Sequence, residues 1–325
     1  MKKLLTISVA AYNVERFLKN TLKSLSDSRY VDKLEVFVID DGGNDNSIEI
    51  AKSYEKQFPQ TFHAIHKENG GYGSTVNYSI EHATGKYFKL LDGDDWMDCD
   101  GLKEVLEKLA IIDDDVIITD FYTGPTKDEL TVVSTRNKDN SVVNVREFET
   151  SYPYGMWAIF YKTEILKKSK VKLIEHSLYT DQIYSTIPFS IAKTIRFINI
   201  PVYCYRVGRE EQSTSKPSRL KHSKEMLHVC SLLYDFYEEH KDNKYILSRV
   251  ARYYIVTLKT LMIFPVSFEN RIKLINYEYD AKLDHKEIYE KAIDGNLAAS
   301  FVNLMRKTSY WSYWLLFFIP DKYLT

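Results

Sequence analysis

The first 120 residues alternate between short apolar runs and amphipathic segments, and this alternation constrains the fold more than any other feature. Apolar runs of strand length occupy residues 4–11, 34–39, 61–65, 87–91 and 116–119. Asn13 is the predicted N-cap of the first of four segments with helical spacing, which are residues 14–25, 47–58, 73–83 and 101–109. Strands separated by helices favour a mostly parallel sheet covered on both faces, so we predict an α/β fold.

The pattern changes beyond this region. Residues 126–144 are polar and aperiodic, which indicates loops and edge strands. Strands are predicted at residues 156–161 and 195–205, with a short helix at residues 164–168. Helical spacing then fills residues 221–240, 243–263, 269–278 and 285–307, with an interruption at Gly295. We therefore predict an α/β domain at residues 1–217, in two halves at 1–120 and 121–217, and a helical region at residues 218–325.

Composition excludes several classes of protein. The formal net charge of -1 argues against a broad nucleic-acid surface, so no nucleic-acid partner is expected. The three cysteines give neither a disulfide framework nor a zinc ligand set, which favours a cytoplasmic location. The apolar start is short and reads as a first buried strand instead of a signal peptide, and no segment approaches the roughly 20 apolar residues that cross a bilayer.

Polar residues follow three of the predicted strands, as Ala11-Tyr12-Asn13, Asp40-Asp41-Gly42-Gly43 and Asp92-Gly93-Asp94-Asp95. Ligands of open parallel sheets bind beyond the carboxyl ends of the strands, so these residues are expected to form one site. Side chains alternate along a strand, which predicts that Asp92 and Asp94 point the same way. Carboxylates this close repel each other unless a cation lies between them, and oxygen ligands suit Mg²⁺ or Mn²⁺. The alternative is a solvated acidic turn.

Four segments carry a resemblance to a known family: ISVAAYNVE at residues 7–15, VIDDGGNDNS at 38–47, NGGYGSTVN at 69–77 and ATGKYFKLLDGDD at 83–95. Their order and spacing resemble glycosyltransferase family 2, the inverting enzymes with the nucleotide-diphospho-sugar transferase (GT-A) fold. A weaker likeness continues to about residue 215. The resemblance implies that residues 1–120 bind a nucleotide-sugar donor, that residues 121–217 bind the acceptor, and that Mn²⁺ or Mg²⁺ assists.

The resemblance also implies roles for individual donor-binding residues. Ala11 and Tyr12 would line the base pocket, and Asp41, with Asp40 beside it, would bind the uracil of a UDP-sugar. Asp92, Gly93 and Asp94 would contact the ribose and the metal ion, and Asp95 would complete the metal site. Asp40-Asp41-Gly42 is also a good turn, and Tyr12 has packing as an alternative role.

Three further donor contacts are implied. Gly71 and Asn77 belong to a segment that opens a helix, which is either a phosphate-binding loop or a structural one. The family often has a basic residue before Asn77, and this chain has Val76 there. Arg206, followed by Arg209 and Ser213 in a similar stretch, would reach the diphosphate, or would form a surface ion pair.

Asp181 resembles the catalytic base of the family, the residue that takes the proton from the acceptor hydroxyl. Thr180 replaces the first acidic residue of the family's Glu-Asp motif, and a helix N-cap is the alternative role. Trp157 would stack on the acceptor sugar, or would be a buried strand residue. The sequence leaves open whether the acceptor is a glycan, a lipid-linked molecule or a protein-linked one, and the resemblance implies bacterial surface-glycan assembly.

Two other functions stay open. A nucleotidyltransferase of the same fold would need a glycine-rich basic loop after the first strand, which residues 10–13 do not provide. A non-catalytic module that binds nucleotide sugars or carbohydrates would keep the same residues. The aromatic tail at residues 311–320, after Arg306 and Lys307, would contact the inner face of a membrane, the protein's own core or a homodimer partner.

Overall fold

The computed structural model of the chain describes residues 3–208, 212–292 and 297–319, without the side chains of residues 297–299. The chain divides into two units. The first consists of residues 1–145 and 154–209, and the second of residues 146–153 and 210–325. The second unit thus starts before residue 218 and also takes a short segment from the middle of the chain.

One mixed sheet forms the core of the first unit. Its ten strands are β1 Leu5–Ala11, β2 Leu34–Asp40, β3 Phe62–His66, β4 Tyr87–Asp92, β5 Trp96–Met97, β6 Val116–Gly124, β7 Thr131–Val133, β8 Val142–Asn144, β9 Ile159–Lys162 and β10 Thr194–Arg206. The order is β3-β2-β1-β4-β9-β6-β10-β5, with β7 beside β6 and β8 beside β10. The first four are parallel, whereas β9 is antiparallel to β4 and β6. The predicted α/β fold is confirmed.

The helices of the first unit are α1 Glu15–Leu25, α2 Ser47–Gln57, α3 Tyr72–His82, α4 Cys99–Ile111, α5 Thr163–Lys168 and α6 Asp181–Tyr184. The sequence predicts all of them except α6. In α4, the buried apolar residues recur at helical spacing, and the side chain of Asp98 accepts a hydrogen bond from the Gly101 amide at the N-terminus. Burial of one apolar face against the sheet therefore explains both the helices and their predictability.

The register of the parallel strands brings three strand ends together. Ala11 of β1 lies opposite Asp40 of β2, and Ala10 of β1 lies opposite Asp92 of β4. Because β2, β1 and β4 are neighbours and end at the same level, the residues that follow them share one edge of the sheet.

Two local predictions are wrong. Asn13 is not the N-cap: α1 starts at Glu15, Val14 occupies the cap position, and Asn13 has a φ of 53° while its side chain accepts from the Asn44 amide. The strand predicted at residues 156–161 begins only at Ile159, since Met156–Ala158 is a 3-10 turn.

The second unit is helical, as its periodicity predicts. It contains α7 Lys216–Lys221, α8 Ser223–Glu238, α9 Lys244–Met262, α10 Phe268–Asp284, α11 Lys286–Lys291, α12 Leu297–Lys307 and a 3-10 helix Trp311–Phe318. The helix predicted at residues 221–240 corresponds to α8, and the short helix α7, which the sequence did not predict, precedes it and ends at Lys221. Gly295 lies outside the described residues.

A buried ion pair connects α10 with α12, where Arg306 Nε donates to Glu278 Oε2 at 2.6 Å. In the aromatic tail, Tyr313 and Leu316 are buried, whereas Trp311 and Phe317 are exposed, and residue 320 lies outside the described part. Among the helices that the structure describes, none has the length and apolar character to span a membrane.

Candidate active site

Three carboxylates cluster where β4 ends. One oxygen each of Asp92, Asp94 and Asp95 lies within 4.8 Å of the others. The strand ends at Asp92, and the chain turns there, with the Gly93 amide donating to the Ala10 carbonyl and the Asp95 amide donating to the Asp92 carbonyl. The cluster therefore arises from a tight turn, and not from the strand alternation that the sequence suggested.

Gly93 is required by this turn. A Cβ atom at position 93 would lie 2.6 Å from the carbonyl oxygen of Ala10, so a side chain there would push the turn away from β1. The glycine thus sets the distance between residues 92–95, which we call the acidic turn, and the end of β1.

Asp95 is the anchor of the acidic turn. Its carboxylate is buried and accepts from the Tyr203 hydroxyl at 2.6 Å and from the Arg206 amide at 2.8 Å. Burial, and then the nearby charge of Asp92, raise the pKa of Asp95 well above its ordinary value. The turn is therefore held against β10, and its negative charge is costly in the absence of a cation.

Arg206 lies beside the same turn. Its Nε donates to the Asp94 carbonyl at 2.9 Å, and its guanidinium lies over the rings of Phe17 and Trp96 at 4.9 and 4.8 Å from their centroids. These contacts place a cation next to the carboxylates. Arg209 lies outside the described residues.

Asp40 and Asp41, at the end of β2, are both buried. Asp40 Oδ2 lies 2.6 Å from His66 Nδ1. Asp41 Oδ1 accepts from Lys67 Nζ at 2.8 Å, from the Gly70 amide at 2.9 Å and from Ser74 Oγ at 3.2 Å. These three bonds all meet Oδ1 of Asp41, so the carboxylate is held by that oxygen.

The residues after β1 differ in exposure. Ala11 is buried and its carbonyl accepts from the Asp41 amide at 2.9 Å, whereas 52% of Tyr12 is exposed. The backbone at Ala11 thus ties β1 to the Asp41 turn. The ring of Tyr12 is available to a ligand at the same sheet edge.

Asn77 has hydrogen-bond partners within the protein, and Gly71 packs closely against the backbone of His176. Gly71 has a φ of 78°, and a Cβ there would lie 3.0 Å from the His176 amide nitrogen. Asn77 binds Leu173 twice, donating to its carbonyl and accepting from its amide, at 2.9 and 2.8 Å. Both residues therefore fix the segment that leads to Asp181.

Asp181 is the first residue of α6, and its Oδ2 accepts from Gln182 Nε2 at 2.8 Å. Tyr72, at the start of α3, connects it with the acidic cluster. Burial and the charges of Asp92 and Asp181 raise the pKa of Tyr72 well above its ordinary value, and Tyr72 is hydrogen-bonded to Asp92. The predicted base and the first carboxylate of the cluster thus have a common neighbour.

Trp157 lies in the 3-10 turn before β9 and is partly buried. Its ring stacks on Tyr205, with centroids 5.4 Å apart and an angle of 10°, and contacts Phe121 at 5.6 Å. Trp157 is therefore part of an aromatic group and not a strand residue.

The sequence analysis missed four residues of this region, namely Lys67, Tyr72, Lys89 and Tyr203. Lys89 alone carried a signal, because a lysine interrupts the apolar run of β4. The others depend on contacts between distant parts of the chain, such as the bond from Tyr203 to Asp95.

The acidic cluster fits a divalent metal ion. Three carboxylates provide only oxygen ligands, as Mg²⁺ and Mn²⁺ prefer, and their oxygens lie close enough to share one ion. Burial and the neighbouring charge of Asp92 raise the pKa of Asp95, and a bound cation would favour its ionised form.

Comparison with known proteins gives a family match. The profile described as Glycosyl transferase family 2 matches residues 6–175. EpsH of Bacillus subtilis (strain 168), to which a glycosyltransferase activity is attributed, is 27% identical over 212 residues, or 62% of this chain and 60% of EpsH. Glycosyltransferase GlyG of Streptococcus pneumoniae serotype 4 (strain ATCC BAA-334 / TIGR4) is 26% identical over 63% of this chain and 71% of its own length. The match thus spans less than two thirds of EpsH.

Among solved structures, residues 1–349 of S. aureus TarS in complex with UDP-GlcNAc superpose with a TM-score of 0.70. The superposition covers 94% of this chain and 92% of that one, at 18% identity. The likeness establishes a common fold.

Proposed function

Since this chain belongs to glycosyl transferase family 2, we propose that it is a glycosyltransferase that moves one sugar from a UDP-sugar to an acceptor hydroxyl with inversion at the anomeric carbon. The main support for this proposal is the acidic turn. Its three carboxylates lie at the end of β4, on the same edge of the sheet as the end of β2, which Asp41 follows. The presence of UDP-GlcNAc in the TarS structure supports UDP as the nucleotide.

The donor would bind across the edge formed by β1, β2 and β4. Tyr12 stacks on the base and Asp41 accepts from its N–H group, with Ala11 and Asp40 shaping the pocket. Asp92, Asp94 and Asp95 would hold a divalent metal ion, which would supply positive charge to the diphosphate. Asp95 anchors the turn, Gly93 allows its close approach to β1, and Arg206 adds positive charge beside the diphosphate.

Asp181 would act in the transfer itself. The acceptor oxygen forms a bond to the anomeric carbon as the bond from that carbon to the diphosphate oxygen breaks. Asp181 takes the hydroxyl proton, and UDP leaves with the electron pair of the broken bond. Gly71 and Asn77 support this step indirectly, because they hold residues 173–176 on α3.

The remaining assignments concern larger parts of the chain. We propose that residues 1–217 form the catalytic domain, with a donor half at 1–120 and an acceptor half at 121–217. Trp157 lies in the acceptor half. The helical region at 218–325 would add a membrane contact or a homodimer contact through its aromatic tail, whose Trp311 and Phe317 are exposed.

Incubation with UDP-, GDP- and dTDP-sugars in the presence of Mn²⁺ tests the proposal. We expect slow release of UDP from a UDP-sugar, and a free sugar or product of inverted anomeric configuration by NMR. Binding of a nucleotide sugar with no turnover of any donor would instead support a non-catalytic binding module.

Asp41→Asn tests the proposed base contact. The new amide presents N–H groups where the carboxylate accepts, so we expect the affinity for UDP to fall about tenfold, or about 1.4 kcal/mol. Calorimetric titration of UDP with Mn²⁺ measures this, and Asp113→Asn, at an exposed carboxylate paired with Lys162, is the control. Wild-type affinity in Asp41→Asn would remove Asp41 from the base pocket.

A further inference from the structure

Lys89 is a fully buried lysine inside the sheet. It lies in β4, three residues before Asp92, and its side chain has no solvent exposure. Among the described residues, the ion pairs include no carboxylate partner for Lys89. Burial lowers the pKa of Lys89 well below its ordinary value. A charged side chain in this position is costly unless specific contacts offset its loss of water.

The contacts of Lys89 go to the turn Met156–Ala158 and to the start of β9. Its Nζ donates to the carbonyls of Trp157 and Ile159 at 2.7 and 3.3 Å and lies 3.5 Å from the Met156 carbonyl. The ammonium also lies over the ring of Phe160, 4.3 Å from the centroid. These carbonyls belong to the 3-10 turn Met156–Ala158 and to Ile159, the first residue of β9, so Lys89 binds the point where the turn enters the strand.

Lys89 also lies close to Tyr203, which binds the acidic turn. Its Nζ lies 5.2 Å from the ring centroid of Tyr203, whose hydroxyl donates to Asp95. Tyr205, two residues later in β10, stacks on Trp157. Contacts therefore connect the acidic turn, through Tyr203 and Lys89, with the turn Met156–Ala158, which we call the aromatic turn.

We propose that Lys89 is a positioning residue for the acceptor, because it fixes the turn Met156–Ala158 and the Trp157–Tyr205 aromatic pair relative to the acidic turn. The ligand class that this pair recognises is the pyranose ring of an acceptor sugar, whose apolar face packs on aromatic side chains. This inference rests on the proposed function. It goes beyond that function in naming the residue that couples the two halves of the site.

Lys89→Met separates this role from a purely structural one. Methionine fills a similar volume without a charge, so the main change is the loss of the hydrogen bonds to the Trp157 and Ile159 carbonyls. The turn loses its hydrogen-bond donor, whereas the residues proposed to bind UDP-sugar are unchanged. We expect at least a tenfold increase in the acceptor KM, with donor KM and acceptor-free UDP release within twofold of wild type.

The probes are a UDP-sugar that the wild-type enzyme hydrolyses and a panel of p-nitrophenyl hexopyranosides as acceptors. Lys89→Gln keeps one donor and should show a smaller increase in the acceptor KM. Trp157→Ala should reproduce the effect, and the double variant with Lys89→Met should lose little more than either alone. Lys86→Met is the matched control, because Lys86 also binds backbone carbonyls, those of Leu109 and Ile112, outside the aromatic turn.

The outcomes are distinct. A wild-type enzyme that releases no UDP contradicts the proposed function itself. An active wild type overturns only the present inference in any of three cases: Lys89→Met keeps the acceptor KM, it loses donor hydrolysis to the same extent as transfer, or no pyranoside in the panel is accepted. Failure of both Lys89 variants to fold would also overturn it, since the lysine would then serve the core and not the acceptor.

Discussion

Asp181→Asn should lower the rate of sugar transfer by about 10²–10⁴-fold, the range that a general base contributes, while donor affinity stays within about twofold of wild type. Asparagine has nearly the same volume and keeps an oxygen for the bond from Gln182, so α6 should retain its start at position 181. The amide cannot take a proton at neutral pH. The loss is therefore confined to the step in which the acceptor hydroxyl is deprotonated.

Two measurements separate chemistry from binding in this variant. Single-turnover transfer with saturating donor reports the chemical step, and titration calorimetry with UDP and Mn²⁺ reports the donor site. Asp128→Asn is the control, because Asp128 is an exposed carboxylate in another short helix, Lys127–Glu129. Near-normal transfer by Asp181→Asn, or a loss of donor affinity as large as the loss of rate, would show that another group is the base.

Removal of divalent metal should abolish turnover, and Asp94→Asn should raise the Mn²⁺ concentration for half-maximal activity by about 10–100-fold. The physical reason is that three carboxylates lie close together, so the turn repels a diphosphate unless a cation lies between them. The Asp94 carbonyl, which accepts from Arg206, is unchanged in this variant. The fold of the turn should therefore survive.

Activity after chelation and stepwise return of Mn²⁺ or Mg²⁺ measures the metal requirement. Glu104→Gln, an exposed position of α4, controls for general loss of surface charge. Full turnover in a metal-free preparation would contradict a metal role for the acidic turn. An unchanged Mn²⁺ requirement in Asp94→Asn would remove Asp94 from the metal site.

The sequence contained most of what determines the parallel half of the sheet. Apolar runs predicted β1, β2, β3 and β4, and polar residues after them predicted where the strand ends would meet. The register confirms that meeting, with Ala11 opposite Asp40 and Ala10 opposite Asp92. These features are local in sequence, because a buried strand and the turn after it occupy adjacent residues.

Other features depend on contacts that sequence spacing cannot show. Lys89 binds a carbonyl 68 residues away, and this bond accompanies a 3-10 turn where apolar character predicted a strand. Asn77 and Gly71 matched a donor-binding segment, yet their bonds and close contacts go to residues 173–176. The position of Tyr72 near both Asp92 and Asp181 depends on the packing of distant segments, which the sequence does not show. Long-range packing therefore decided the parts that the sequence did not predict.

The most direct test of the account is a crystal structure of the enzyme with UDP and Mn²⁺, with anomalous scattering used to locate manganese. We expect one strong anomalous peak within about 2–2.5 Å of carboxylate oxygens of Asp92 or Asp94, in contact with the diphosphate, and the uracil beside Asp41. A peak elsewhere, or bound UDP with no manganese at the acidic turn, would contradict the proposed donor site.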